Sequence, residues 1–233
     1  MKISLFGITG VHLGKHNVRE PRLDQVDKLV AADKRIYVQV ELVDEKDAAN
    51  ADAVLVSSDA RADLILRDWE FVETRLGREP GAAERQVLEK LKAALEREAF
   101  AFSAGLSLEE QPVIAVYNLL TNRPVVVAAP EALADIEALL GRVLRESGYL
   151  SFFTVGGKEN RAWLIRSGTT AWEAAGAIHS DLQKGFIRAE IISFKDLVEA
   201  GGETQAKRAG KMRLELKDYV MQDCDIVNFR FHK

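Results

Sequence analysis

The chain predicts two units of different class: an α/β unit on a parallel sheet, interrupted by a helical hairpin, and then an α+β unit of β-grasp size. Three observations carry that expectation. Up to residue 63, short β-branched runs alternate with an amphipathic helical pattern, as parallel strands with crossover helices do. From Leu64 to Phe102 the pattern becomes that of long, charge-laced helices. Beyond Gly148 short strands return, with short helices between them.

Each element follows from its residues. Lys2–Ile8 is a strand, and Arg22–Ala32 (RLDQVDKLVAA) puts Leu23, Val26, Leu29 and Val30 on one helical face. Arg35–Val43 (RIYVQVELV) reads as one β-branched strand, and Ala53–Ser57 (AVLVS) as a short buried one. Leu64–Leu76 and Ala83–Phe102 form an αα-hairpin across a Gly77-Arg78-Glu79-Pro80-Gly81 break, with Leu88, Leu91 and Leu95 at i, i+3 and i+7. Ser107–Leu120 offers a helix with Ser107 as N-cap and Glu110 in the capping-box position, weakened by Pro112. Pro124–Ala128 returns to strand and Glu131–Ser147 to helix. Ala162–Arg166, Arg188–Ser193 and Ile226–Phe231 are strands, with Ala171–Ile178 and Phe194–Ala200 as short helices. The implied domains are 1–63 with 112–148, a helical insert at 64–111, and 149–233.

Composition narrows the function classes. With 47% hydrophobic and 29% charged residues the chain has globular values, which argues against wholesale disorder. It contains no apolar run of about 18 residues to span a bilayer. One cysteine, Cys224, excludes an intramolecular disulfide and a Cys-rich metal motif, and His12, His16, His179 and His232 are scattered, so no metal site is expected. A cytoplasmic protein with no membrane or DNA partner is the simplest reading. Residues 1–150 carry 19 Lys+Arg against 25 Asp+Glu (−6), and residues 151–233 carry 13 against 11 (+2). The C-terminal unit is therefore the one suited to a polyanion.

The stretch FFTVGGKENRAWLIRSGTTAWEAAGAIHSDLQKGFIRAEIISFKDLVEAGG, followed by AGKMRLELKDYVMQDCDIVNFRF, resembles the TGS domain that ends the YchF/Obg-like ATPases. That resemblance covers Ser151 to Phe231 and implies a ubiquitin-like β-grasp module. It continues upstream in pieces. EPRLDQVDKLV resembles the segment after switch I, VELVD the switch II strand, and AGLSLEEQPVIAVYNLLTNRPVVVA the return from the helical insert. The chain thus resembles a shortened relative with a truncated P-loop-NTPase-like sheet, the missing length lying in the nucleotide domain.

The family's nucleotide motifs are degraded. A P-loop needs G-x-x-x-x-G-K-[ST], so that backbone N–H groups can wrap the phosphates. Here GVHLGKH, residues 10–16, places Gly10 one residue too close to Gly14-Lys15, and His16 stands where a hydroxyl should meet Mg²⁺. Pro21 follows too soon for the helix that a phosphate loop leads into. Asp44 survives in switch II, but Asp47 replaces the family's glycine. In the base-recognition motif only Glu131 remains. Gly10, Gly14, Lys15, Asp44 and Glu131 are the remnant nucleotide-site residues, and no catalytic residue is assigned. A reactive Cys224 and a catalytic His179 are both disfavoured, against an inert turn residue and a helix-end hydrogen bond.

Lys184, Arg188, Lys207, Arg208, Lys211 and Arg213 are candidates for RNA phosphate or an acidic protein, diluted by Glu203, Glu215 and Asp218. The degraded motifs point to a non-catalytic interaction protein without a cofactor, using the TGS unit and hairpin as binding surfaces, and the family's ribosome association implies a ribosomal or other translation-linked partner. Two alternatives stand beside it. One is a divergent ATPase or GTPase using ATP or GTP with Mg²⁺ through a rearranged loop. The other is a regulator that binds a small molecule on the TGS unit.

Overall fold

The computed structural model describes residues 1–232. The chain divides into two compact units, residues 1–16 with 40–139, and residues 17–39 with the chain from 140 onward. Its first elements are β1 (Lys2–Phe6), β2 (Gly14–Val18), α1 (Pro21–Leu29), β3 (Lys34–Ile36), β4 (Val38–Val43), β5 (Ala53–Ser57), α2 (Arg61–Leu76) and α3 (Ala82–Leu95). They continue with α4 (Gln111–Ile114), β6 (Val125–Ala128), α5 (Ile136–Glu146), β7 (Tyr149–Thr154), β8 (Glu159–Arg166), α6 (Ala171–Ile178) and α7 (Ser180–Lys184). β9 (Phe186–Ile192), α8 (Phe194–Ala200), α9 (Glu203–Arg208), β10 (Arg213–Glu215) and β11 (Ile226–Phe231) complete the chain.

A five-stranded sheet in the order β2-β4-β1-β5-β6 organises the first unit. β1 runs parallel to both β4 and β5, and β5 parallel to β6. Every residue of β5 is buried, as its unbroken apolar run requires. Phe6, Val54, Val56, Leu64 and Leu120 pack together against the sheet. In the helical hairpin, Ile65 and Val72 of α2 meet Val87, Leu88, Leu91 and Leu95 of α3, as the leucine spacing implies.

Three helical expectations shorten. α3 ends at Leu95, not at Phe102, because Glu98 takes a left-handed conformation at φ 56°. The capping box at 107 does form: Ser107 N donates to Glu110 Oε2 at 2.9 Å, and Glu110 N to Ser107 Oγ at 3.2 Å. The helix it opens nevertheless spans only Gln111–Ile114. α5 begins at Ile136, after a 3-10 turn over Pro130–Ala134.

The second unit has a six-stranded sheet in the order β10-β9-β11-β7-β8-β3. β7 and β8 form an antiparallel hairpin, β9 pairs antiparallel with β11, and β11 lies parallel to β7. With α6 on one face this is the β-grasp arrangement. α6 is opened by a capping box between Thr170 and Glu173, and its Ala171, Ala174 and Ala175 pack on Phe152, Ile191, Val227 and Phe229. β7 and β10 are not marked by alternation in the sequence: β7 buries three consecutive residues, Ser151–Phe153.

The compact units differ from the expected domains: the helical hairpin stays in the parallel-sheet unit, and both 140–148 and 17–39 fall in the β-grasp unit. Arg35–Val43 is therefore not one strand: it breaks at Tyr37, β3 pairing with β8 in the second sheet and β4 with β1 in the first. Asn160, fully buried on β8, donates to Asp27 Oδ1 at 2.8 Å and to the Val30 carbonyl at 2.7 Å, tying α1 to the sheet. Alternation along β8 puts Asn160 opposite Trp163, so α1 covers the face that α6 leaves open. A buried Asn with three polar partners is costly to place wrongly, which makes it a register pin for this segment.

Candidate functional site

β1, β4, β5 and β6 are parallel, so their C-terminal ends share one edge of the sheet, where α/β folds place their ligands. The remnant nucleotide residues fall at or near this edge, where Asp44 is already engaged and Lys15 and Glu131 are exposed to solvent. Gly7, just after β1, has φ 62° and donates its N–H to Glu45 Oε1 at 3.2 Å. A Cβ on Gly7 would lie 2.2 Å from the Ala60 Cβ, so the loop is pressed onto the 3-10 turn that follows β5. Gly10 and Gly14 hold left-handed or extended positive-φ conformations, at φ 80° and 108°. Gly14 and Lys15 then enter β2, a strand with Lys15 exposed, and no helix N-terminus follows them. His16 donates from Nε2 to the His12 carbonyl at 2.6 Å. Pro21, too early for a helix from Lys15, sits in the first turn of α1, where its missing N–H costs nothing.

Asp44 is spent as an N-cap. Its carboxylate accepts from Lys46 N at 2.9 Å and Asp47 N at 3.3 Å, and its carbonyl accepts from Ser4 Oγ. Glu131 is exposed in the 3-10 turn after β6. The edge thus carries Asp44, Glu45, Asp47, Asp59 and Glu131, carboxylates that repel a polyphosphate. Glu45 and Ala60 are the residues sequence reading misses: neither occupies a motif position, and only the fold brings them to Gly7. Among the described residues no His, Cys, Asp and Glu group is arranged to hold a metal ion, and no helix is long and apolar enough to cross a membrane.

The family model described as YchF-GTPase_C, protein of unknown function (DUF933), matches residues 149–232. The ribosome-binding ATPase YchF of Haemophilus influenzae is 32% identical over 273 residues, covering 93% of this chain and 74% of that protein. The chain belongs to the YchF family. The Bacillus subtilis ribosome-binding ATPase YchF is 33% identical over 235 residues, 73% of this chain and 64% of its own length. The Danio rerio Obg-like ATPase 1 is 45% identical over 101 residues, 41% of this chain and 25% of that protein. Among solved structures, the Schizosaccharomyces pombe YchF GTPase superimposes with a TM-score of 0.76 at 20% identity, covering 99% of this chain and 97% of that one, which speaks for the fold. The Haemophilus alignment is longer than the 233 residues of this YchF-family chain, so stretches of the relative stand opposite gaps here.

In the β-grasp unit of this YchF-family chain the basic residues do not converge. Lys207 pairs with Glu203 at 2.5 Å and Lys211 with Asp196 at 3.0 Å. Arg213 reaches the Tyr219 hydroxyl at 3.0 Å and lies 3.8 Å from buried Asp225. It stands opposite Ile191, on the α6 face, whereas Arg188 and Glu190 point to the other face. Lys184, Arg188 and Arg208 are exposed and have no ion-pair partner among the described residues. Of the six candidates, Lys207, Lys211 and Arg213 are paired with carboxylates and the other three face solvent. A cavity of about 480 Å³ beside β11 is walled by Trp163, Phe229 and Leu182, with Glu159, Glu190 and Glu203 against one lysine, Lys207, a lining unsuited to phosphate.

His179 joins α6 to α7, its Nδ1 accepting from Asp181 N at 3.2 Å. Cys224 is buried in a left-handed turn at φ 61°, with its N–H on the Ser151 carbonyl at 2.7 Å. Burial, then the neighbouring Asp223, pushes its thiol far above the ordinary range. Native protein at pH 8 is expected to leave Cys224 unmodified by Ellman's reagent over an hour, with one thiol released in urea. Rapid native labelling would contradict the burial.

Proposed function

We propose that this YchF-family chain is a non-catalytic, cytoplasmic interaction protein that associates with the ribosome. In this reading a TGS-type β-grasp unit and the helical hairpin serve as binding surfaces, and the parallel sheet is a scaffold. Its relatives' names, ribosome-binding ATPase YchF, support the ribosomal partner. The observation that carries the loss of catalysis is the closed loop after β1. Its first N–H is taken by the Glu45 carboxylate, its glycine is packed on Ala60, and its Gly-Lys pair lies in a strand. A phosphate loop works because free N–H groups and a helix dipole face the anion. Here an internal carboxylate stands in the anion's position.

Millimolar ATP or GTP with Mg²⁺ is expected to leave the melting temperature unchanged. A ligand at 100 times its Kd would add about 2.7 kcal/mol and be plain to see. A shift that disappears in Lys15→Ala would replace this reading with that of a divergent ATPase or GTPase. For the partner, the chain should co-sediment with ribosomes at low salt and be released as salt rises. Lys184→Glu, Arg188→Glu and Arg208→Glu together should weaken that binding severalfold. No co-sedimentation at low salt removes the ribosomal assignment.

A further inference from the structure

The helical hairpin, one of the binding surfaces in that reading, carries an apolar groove to which the reading assigns no occupant. It encloses about 430 Å³ between the start of α2 and the end of α3, floored by Ile65, Leu66, Trp69 and Leu95. Leu66 is 50% exposed, a large apolar side chain turned to solvent where a hairpin needs none. The lining is acidic: it holds Asp63, Glu96 and Glu98 and one cation, Arg61, with Lys92 beside it. Arg61 is itself consumed, 3.2 Å from the Glu98 carboxylate and bonded to the Glu98 carbonyl. Glu96 lies 3.7 Å from Lys92, and Asp63 has no ion-pair partner among the described residues. Glu98 keeps the left-handed conformation in which helices usually end on glycine. A glycine would serve that turn with less strain but would leave the rim without this carboxylate.

We infer that the groove docks a cationic, amphipathic segment of a partner protein, its apolar side chains on Leu66 and Trp69 and its Lys or Arg side chains on the carboxylate rim. The mode is a helix in a groove, with charge setting partner choice. The same charges select against other occupants. RNA and anionic lipid would bring phosphate to an acidic rim. A second copy docking groove to groove would set the same carboxylates against one another. The inference does not depend on the ribosomal assignment, because any protein with such a segment fits.

The test uses the full chain labelled with 5-fluorotryptophan, whose fluorine spectrum reports Trp69, Trp163 and Trp172 separately, with Trp69→Phe for assignment. An amphipathic Leu/Lys helical peptide should move the Trp69 resonance saturably and leave the other two in place. Leu66→Ser and, separately, Asp63→Lys should each weaken binding roughly tenfold. Both positions are on the surface, and unchanged circular dichroism would show that the fold is kept. A Leu/Glu peptide of the same pattern should have no effect. Equal response to the Leu/Glu peptide, unchanged affinity in both variants, or a Trp69 shift produced by poly(U), by anionic vesicles or by raising the protein concentration alone would each overturn the inference.

Discussion

Gly7→Ala is expected to lower the unfolding free energy by about 3 kcal/mol, through two separable costs. The first is conformational: at φ 62° an alanine pays about 1 kcal/mol that glycine does not. The second is steric. The new Cβ would sit 2.2 Å from the Ala60 Cβ and 3.0 Å from Ser57 Oγ, and Ser57 Oγ already caps the 3-10 turn through Ala60 N at 3.2 Å. The turn would have to move and lose its cap, or the loop would have to release Glu45. Gly10→Ala isolates the first cost, since Gly10 shares the positive φ but has nothing within 4 Å of a Cβ. It should lose only about 1 kcal/mol. Urea unfolding of both variants, with Ala60→Gly added as a partial rescue, reads the difference. Equal losses at Gly7 and Gly10 would mean that the loop is not closed on Ala60, and the main support for a shut phosphate loop would go with it.

Asp68→Ala should be at least as damaging, at roughly 3–5 kcal/mol. Asp68 is 2% exposed on the inner face of α2, yet it is polar for a reason. Its carboxylate accepts from Leu120 N at 3.1 Å, Thr121 N at 2.7 Å and Thr121 Oγ1 at 2.7 Å. Thr121 Oγ1 in turn accepts from Ala101 N, and the Thr121 carbonyl from Phe102 N. The cluster anchors the chain where the hairpin returns toward β6. Burial pushes the Asp68 carboxyl upward, while its three donors pull it back toward the ionised form. Alanine would leave two buried backbone N–H groups without an acceptor, and each such loss costs about 1–3 kcal/mol. Asp68→Asn keeps one acceptor oxygen and should lose about half as much. A double-mutant cycle with Thr121→Val should return a coupling near 1 kcal/mol or more. A loss below about 1 kcal/mol in Asp68→Ala would remove the anchoring role.

The site was legible in part. Residue order in 10–16 was enough to show that the Gly-Lys pair is misplaced, because phosphate-loop geometry is a matter of local spacing. Asp47 and Glu131 were legible as charges at strand ends for the same reason. The fate of Asp44 as a cap was not, since an Asp after a strand suits a metal and a 3-10 turn equally. Nor was Asp68: a helical pattern marks apolar positions, and a buried carboxylate looks like a break in that pattern until its partners, more than 50 residues away, are in place. The basic residues at 207–213 were legible as charges but not in their pairing. Closeness in sequence suggested a patch, but helix and strand set Lys207, Lys211 and Arg213 against carboxylates and left Arg208 facing solvent.

By itself the sequence determined the parallel sheet, the helical hairpin and three of the β-grasp strands, β8, β9 and β11, because each of these rests on local periodicity, whereas β7 and β10 carry no alternation that marks them. It also determined that the Gly-Lys pair cannot open a helix, since Pro21 intervenes. Only the tertiary structure decided that residues 17–39 join the β-grasp unit, a choice made by Asn160 and by the break at Tyr37. Only the tertiary structure decided that Glu45 and Ala60 shut the loop after β1. Both are contacts between distant segments, and no local pattern encodes which of several compatible partners a strand end or a glycine will meet.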